Sequence, residues 1–531
     1  MNLNISDKEL LDALSYEIRG ASMEVYNHLG PGLLESLYEK ALIIELQMRD
    51  IKVESQVPIK VTYKGVSING EYRLDLLVED STIHNGARQS DSSRFPRFAM
   101  SHQNKTNNFQ DFQDLAKREI IEFAREHENE DTARLLLSAG RYPDIDMAAA
   151  VQQIEGLRTA KEKWPGLLQY GGVVYPPRLN REQASSDETA AHKAYVADEL
   201  CGEESLLTVA DLTGGMGIDS IAFARRSRFV NPLRTQVLSH VDYVERDEEL
   251  CRLMEHNRKA LGIENISVHC ADSMEWLAAE NRHFDILFID PARRSATGRK
   301  VAAFEDCTPD ILQHLELLQS RCRWLMVKAS PMIDIDLACR QLGNVAEVHV
   351  VSVKGECKEV LFICGDHNGE PKIHCIVRGR KDGEFHNCDF TRSEEAAAEP
   401  HFCAAVGRYL YEPDAALMKG GPFNLISQWM GIEKLSPNTH LYTSDHLRQS
   451  FYGRTFVVLR ELTKKDIAQA IPHGKAHVVT RNYPAEAAAL QKQLRLKEGG
   501  NLFVVATTVG AQHKMLLCCL PEQAAHFLRE K

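Results

Sequence analysis

From Leu207 onward the chain alternates short β-rich runs with helix-type spacers, and this rhythm constrains the fold more than any single motif. The runs are "LLTVADL", "HVDYVE", "ISVHCAD", "FDILFID" and "WLMVKAS", and the spacers include "DEELCRLMEHNRKALG". Alternation of this kind predicts an α/β unit with a doubly wound, mostly parallel sheet. "AEVHVVSVKGECKEVLFICG" then reads as two strands joined by a short Gly-containing turn, an antiparallel hairpin added at the sheet edge. The first four runs end in an acid: Asp211, Glu245, Asp272 and Asp290. Open α/β sheets bind their ligands outside the carboxyl ends of the strands, so these acids are expected to share one site.

Two motifs sharpen that expectation. "VADLTGGMGIDS" places Gly214, Gly215 and Gly217 in a strand-to-helix turn, where the missing Cβ atoms let a ligand approach the backbone. The pattern is GGxG and not the dinucleotide GxGxxG, and Asp211 just before it would repel a pyrophosphate. A cationic ligand suits it better, and S-adenosylmethionine carries a sulfonium and an ammonium with no phosphate. Glu245 is placed for ribose hydroxyls and Asp272 for an adenine amino group. Thr213, Asp219 and Ser273 complete the expected cofactor-binding set. The plain alternative is a tightly packed turn with solvated acids around it.

"FIDPARR" is the second motif. A buried strand does not tolerate a central carboxylate, and Pro cannot donate to a ladder, so Asp290 and Pro291 are expected where a strand ends. "DPAR" resembles a (D/N)PP(Y/F/R) motif, and that resemblance implies that the Asp290 carboxylate and the Pro291 carbonyl hold a planar amine in line with a methyl group, with positioning the main catalytic contribution. Arg293 and Arg294 suit a phosphate, or else a solvated loop. Lys328, Ser186 and Thr189 are further substrate-side candidates, although a helix cap is the plainer account of Ser186. Methylation of a pyrimidine carbon needs a Cys nucleophile, and a resemblance to methyltransferases of that type would put it after the fifth strand. "VKASPM" has none there, and Cys307 and Cys322 are expected to pack as small apolar groups.

The 531 residues are too many for one core, so about three or four domains are expected. The 13 Cys are scattered without a CxxC or a His/Cys cluster, which points to reduced thiols, a cytoplasmic setting and no metal. The first 20 residues lack a secretory pattern, and no apolar run is long enough for a membrane span. A net charge of −12 disfavours nonspecific coating of nucleic acid but leaves room for a local basic groove. Residues 1–80 read as a small α/β unit and 81–107 as linker or disorder. A helical region spans 108–195, the sheet unit 196–382 and a mixed α+β tail the remainder.

Residues 108–531 resemble a bacterial class I S-adenosylmethionine-dependent methyltransferase family with a C-terminal THUMP-like domain. The resemblance rests on "YPDIDMAAAVQQI", "VVYPPRLNREQASSDETAAHKA", "DLTGGMGIDS", "FIDPARR", "VKASPMIDID", "YLYEPDAALMKGG" and "NTHLYTSD". It implies a Rossmann-like core, a ferredoxin-like unit over 383–455, a THUMP-like unit over 456–531, S-adenosylmethionine as cofactor and RNA as the expected partner. "DPAR" is similar to the (D/N)PP(Y/F/R) motif of enzymes that methylate amino or ring nitrogens, with Ala292 where that motif carries a second Pro. The implied activity is N-methylation of a base in rRNA or tRNA. A protein or small-molecule substrate, or a non-catalytic binding role, are the alternatives. The first 80 residues resemble the GxxExxY family of PD-(D/E)xK nuclease-like fold through Gly32, Glu35, Tyr38 and Asp75. "STIHNGARQSD" follows where that family carries an ExK-type strand, so this segment is expected to be a truncated fragment without a complete metal site.

Overall fold

The computed structural model describes residues 116–201, 206–225, 238–293, 304–378, 385–471 and 473–528, and before them 35–49, 51–59, 72–78, 81–83 and a few positions between 18 and 67. The chain divides into two compact units. One comprises Met1–Asp187 with the short stretches Gly215–Gly217 and Asp247–Glu264, and the other comprises Glu188–Gly214, Ile218–Arg246 and Asn265–Lys531.

In the first unit, the helix Glu35–Met48 precedes an antiparallel sheet of Val53–Ile59, Tyr72–Val78 and Ser81–Ile83. The segment expected to be linker from residue 81 therefore begins with a strand paired to its predecessor, while 84–107 lie outside the described residues. The helical region follows as Arg118–Glu126, Thr132–Leu137, Met147–Lys163 and Arg178–Gln183. Asp131 and Asp146 cap two of these helices by accepting from Arg134 N and Ala149 N, each at 3.0 Å, which satisfies amides that have no helical partner. The "VVYPP" segment is pinned by two side-chain amides acting as surrogate backbone. Gln153 bonds both backbone groups of Tyr175, and Asn257 bonds both of Val174.

The second unit holds a nine-stranded sheet. Its strands in chain order are β1 Leu206–Asp211, β2 Leu238–Glu245, β3 Ile266–Cys270, β4 Phe284–Ile289, β5 Cys322–Ala329, β6 Val345–Val353, β7 Glu356–Cys364, β8 Lys372–Arg378 and β9 Phe385–Phe390. The order across the sheet is β3-β2-β1-β4-β5-β7-β6-β8-β9. Strands β1 to β5 are parallel, and the direction of winding reverses between β1 and β4. The run Ile286–Ile289 is fully buried, as the centre of a sheet covered on both faces requires. The hairpin β6–β7 follows β5, with β7 lying between β5 and β6 and antiparallel to both. Beyond it β8 runs parallel to β6 and β9 antiparallel to β8, so the domain boundary expected at 383 is corrected: Phe385–Phe390 belongs to this sheet.

The tail forms a second sheet from β10 Tyr409–Pro413, β11 Glu433–Ser436, β12 Thr439–Ser444, β13 Gly453–Leu462, β14 His477–Arg481, β15 Leu502–Val509 and β16 Gln512–Cys519. Its order is β11-β12-β10-β13-β16-β15-β14. The segments expected as separate ferredoxin-like and THUMP-like units thus share one sheet, joined where β10 pairs with β13. One apolar cluster runs from Ala210 and Leu287 in the first sheet to Leu417, Ile426 and Tyr442 in the tail, so the tail is packed onto the core and not tethered to it.

Candidate active site

Each side chain at the carboxyl edge is placed by a strand end. Asp211 closes β1 and is 1% exposed. One of its oxygens accepts from Thr213 N at 3.1 Å and the other from the Ser220 hydroxyl at 2.6 Å. Burial pushes its carboxyl up to about 7, with the charges of Asp219 and Asp290 adding to the rise and the two hydrogen bonds opposing it. The glycine loop follows. Gly215 and Gly217 have φ of 53° and 84°, a region that only glycine enters without strain. A Cβ on Gly214 would fall 2.3 Å from the Tyr243 ring.

Thr213 ties the two strands at the winding reversal together. Its hydroxyl accepts from Asp290 N at 2.7 Å, and Leu212 N donates to Phe288 O at 2.9 Å. Asp290 therefore stands directly across from the start of the glycine loop. Its Oδ2 accepts from Lys328 Nζ at 2.5 Å, and Lys328 is itself at the carboxyl end of β5. Burial works against the charged form of Lys328, but the carboxylates of Asp290, Glu359 and Asp219 outweigh it and hold the ammonium protonated.

The remaining expected residues divide by exposure. Glu245 is half-buried at the tip of β2, and Arg246 N donates to its Oε1 at 2.9 Å. Asp272 is exposed and caps the helix Ser273–Ala279 through Met274 N and Glu275 N, while Ser273 is buried. Asp219 is buried and accepts from Lys193 Nζ at 2.9 Å. Ser186 immediately precedes the helix Asp187–Cys201, and Thr189 is buried on it. Pro291 is half-buried, and the backbone of Arg293 pairs with Cys307. The Arg293 side chain and the whole of Arg294 lie outside the described residues. Cys307 and Cys322 are buried as expected, and burial pushes the Cys322 thiol up to about 12, far from a usable thiolate.

Two residues of this constellation escaped the sequence. Lys193 is 0% exposed and bridges Asp219 to Glu359 on β7, the second contact being 3.0 Å. Burial drives Glu359 above the usual carboxyl range, and Lys193 and Lys328 pull it back. The available signals were a Lys four residues after Thr189 on a buried helix face and an acid leading into the apolar run "VLFIC".

With this geometry in place, the relatives are informative. A crystal structure from Porphyromonas gingivalis W83 described as a methyltransferase matches with a TM-score of 0.64 and 29% identity, covering 77% of this chain and 98% of that one. An uncharacterized S-adenosylmethionine-dependent methyltransferase of Mycobacterium tuberculosis, found in strains CDC 1551 and H37Rv, is 26% identical over 281 residues, 50% of this chain and 72% of that protein. The core is similar to that of S-adenosylmethionine-dependent methyltransferases. After this methyltransferase-like core, residues 409–451 match a ferredoxin-like domain and 453–520 a THUMP domain-like model. Residues 12–86 match the PD-(D/E)XK nuclease superfamily. In that segment Tyr38 is half-buried in the helix Glu35–Met48, whereas Gly32 and the side chains of Glu35 and Asp75 lie outside the described residues. No helix among the described residues is long and apolar enough to cross a membrane.

Proposed function

We propose that this methyltransferase transfers a methyl group to a base nitrogen in rRNA or tRNA. The observation that carries the reading is the pairing of Asp290 with Lys328 at the winding reversal, across from the glycine loop. S-adenosylmethionine, when bound, supplies an electrophilic methyl on a sulfonium, so the chain's own task is to hold and orient. Glu245 and Asp272 suit the ribose and adenine of such a cofactor, and the loop of Thr213, Gly214, Gly215 and Gly217 suits close approach of its methionyl part. Asp211 has both oxygens occupied within the chain, so it acts on a cation as a buried charge beneath the loop. Asp290 gives Oδ2 to Lys328, which leaves Oδ1 as the acceptor for a target N–H. Pro291 adds a carbonyl beside it.

The THUMP-like match supports an RNA partner. Not every basic residue of the tail serves it: Arg481 is committed to Glu412, with the contact at 2.5 Å. Mass spectrometry of modified nucleosides in rRNA and tRNA, from cells with and without the gene, tests the substrate. One methylated nucleoside should vanish with the gene and return when the chain methylates that RNA in vitro. Transfer of labelled methyl to protein alone would defeat the RNA reading.

Two further outcomes are expected of the cofactor site. Glu245→Ala should weaken cofactor binding by about 1–3 kcal/mol through the lost ribose acceptor. Unchanged calorimetric affinity in both Glu245→Ala and Asp272→Ala would remove these residues from the site. The pH dependence follows from Asp211, whose carboxyl lies at about 7 in the fold against 3.8 ordinarily. The fold binds the extra proton, so this group's contribution to stability falls as pH rises from near 4 through about 7. A bound cation favours the ionised form, so cofactor affinity should climb across that window, by at most about tenfold per pH unit, with proton release. Asp211→Asn should flatten the climb, and an identical pH profile in the variant would show that Asp211 does not face the cofactor electrostatically.

A further inference from the structure

Strands β6 and β8 bring together a group that the chemistry above does not use. Glu347 and His349 are two residues apart on β6 and so point to the same face. His374 is the register partner of His349 across the parallel pair β6–β8. One ligand atom from each of the three lies within 4.8 Å of the others. His349 Nε2 is 2.9 Å from Glu347 Oε2, and His374 Nε2 is 3.8 Å from the same oxygen. The two imidazoles are 6% and 8% exposed and stack with centroids 4.5 Å apart.

The other ring nitrogens are held from behind. Asp389 on β9 is the register partner of His374, and its Oδ1 lies 2.9 Å from His374 Nδ1. Nε2 of His192 lies 3.3 Å from His349 Nδ1. This leaves His374 Nε2 buried without a hydrogen-bond partner, a costly state for a polar atom in a dry interior. An imidazole backed by a carboxylate, with its far nitrogen facing a second imidazole and a second carboxylate, is the arrangement of a metal-binding histidine. The Lys372 ammonium is drawn to Asp389 at 3.2 Å.

We propose that Glu347, His349 and His374 bind a divalent first-row transition metal, with zinc the best match to two imidazoles and a carboxylate. Asp389 and His192 orient the ligands without touching the ion. Glu347 is the most exposed of the three, so a fourth position opens on its side, toward water or a polar ligand. The ion would clip β8 to β6.

The test uses the full chain stripped with a chelator, titrated with Zn²⁺ by calorimetry and with Co²⁺ by absorption. One tight equivalent is expected, with a ligand-field spectrum free of sulfur-to-metal charge transfer. His349→Gln, His374→Gln and Glu347→Gln should each lower affinity by more than tenfold, and Asp389→Asn by about ten- to hundredfold. Metal should raise the melting temperature of the wild type and not of the His349→Gln/His374→Gln double variant. If the histidine variants do not fold, the partly exposed Glu347→Gln carries the comparison. Absence of a tight equivalent in the wild type would overturn the site. So would wild-type affinity in the double variant or in folded Glu347→Gln, or a thiolate charge-transfer band from any of the 13 cysteines.

Discussion

Asp290→Ala is expected to lower kcat by about 10²- to 10⁴-fold while leaving cofactor affinity nearly intact. The side chain is fixed on three sides: its N–H is held by Thr213, its Oδ2 by Lys328, and its chain direction by Pro291. An acceptor held this firmly costs no reorganisation when the target nitrogen arrives, which is the source of its effect on rate. Asp290→Asn keeps an acceptor oxygen and should retain more activity than the alanine variant. The competing account is that Asp290 matters only as the counterion of buried Lys328. The variant Asp290→Ala/Lys328→Met removes both charges and separates the two accounts. If rate returns in the double variant, Asp290 acted through Lys328. If it stays low in a protein with a near-wild-type melting temperature, the carboxylate positions the substrate. A well-folded Asp290→Ala protein that methylates at the wild-type single-turnover rate would exclude both.

Lys193→Met should be the most destabilising single change in the methyltransferase core, by about 3–5 kcal/mol. Lys193 is wholly buried and is the shared cation of Asp219 and Glu359, which are 8% and 2% exposed. Methionine preserves much of the volume, so the cost is electrostatic: two carboxylates remain in a dry interior without their partner. On a core of this size the melting temperature should drop by roughly 5–15 °C. The sign of the pH dependence is fixed by the acids. Glu359 is already raised by burial, and losing Lys193 raises it further, so the variant should lose more stability at pH 8 than at pH 5. Adding Glu359→Gln should recover part of the loss. Unchanged stability in Lys193→Met, or a deficit independent of pH, would mean that water reaches these acids and that the network is not buried as described.

How much of this was legible beforehand depends on the range over which each feature is decided. The run Ile286–Ile289 reads as a buried strand segment ending at Asp290, because uninterrupted apolar residues followed by an acid and a proline admit little else. The turn at Gly214, Gly215 and Gly217 was equally local, since positive φ and close approach are properties of the residues themselves. Other features were not local. Burial of Asp211 and its engagement by Ser220 depend on what packs over the strand end, which no local pattern shows. Phe385–Phe390 follows the point at Asp382 where the strand–helix rhythm loosens, so only its pairing with β8 places it in the first sheet. Lys193 reaches Glu359 on β7 from the distant helix Asp187–Cys201, and His374 meets Glu347 and His349 only because β8 docks parallel to β6 in one register. The sequence by itself determined the strand ends, the glycine turn and the acids that close them, through steric and solvation preferences acting over a few residues. The tertiary structure alone decided which charges are buried together and which histidines share a face. Those pairings join strands and helices distant in the chain, and their register is set by packing of the whole core.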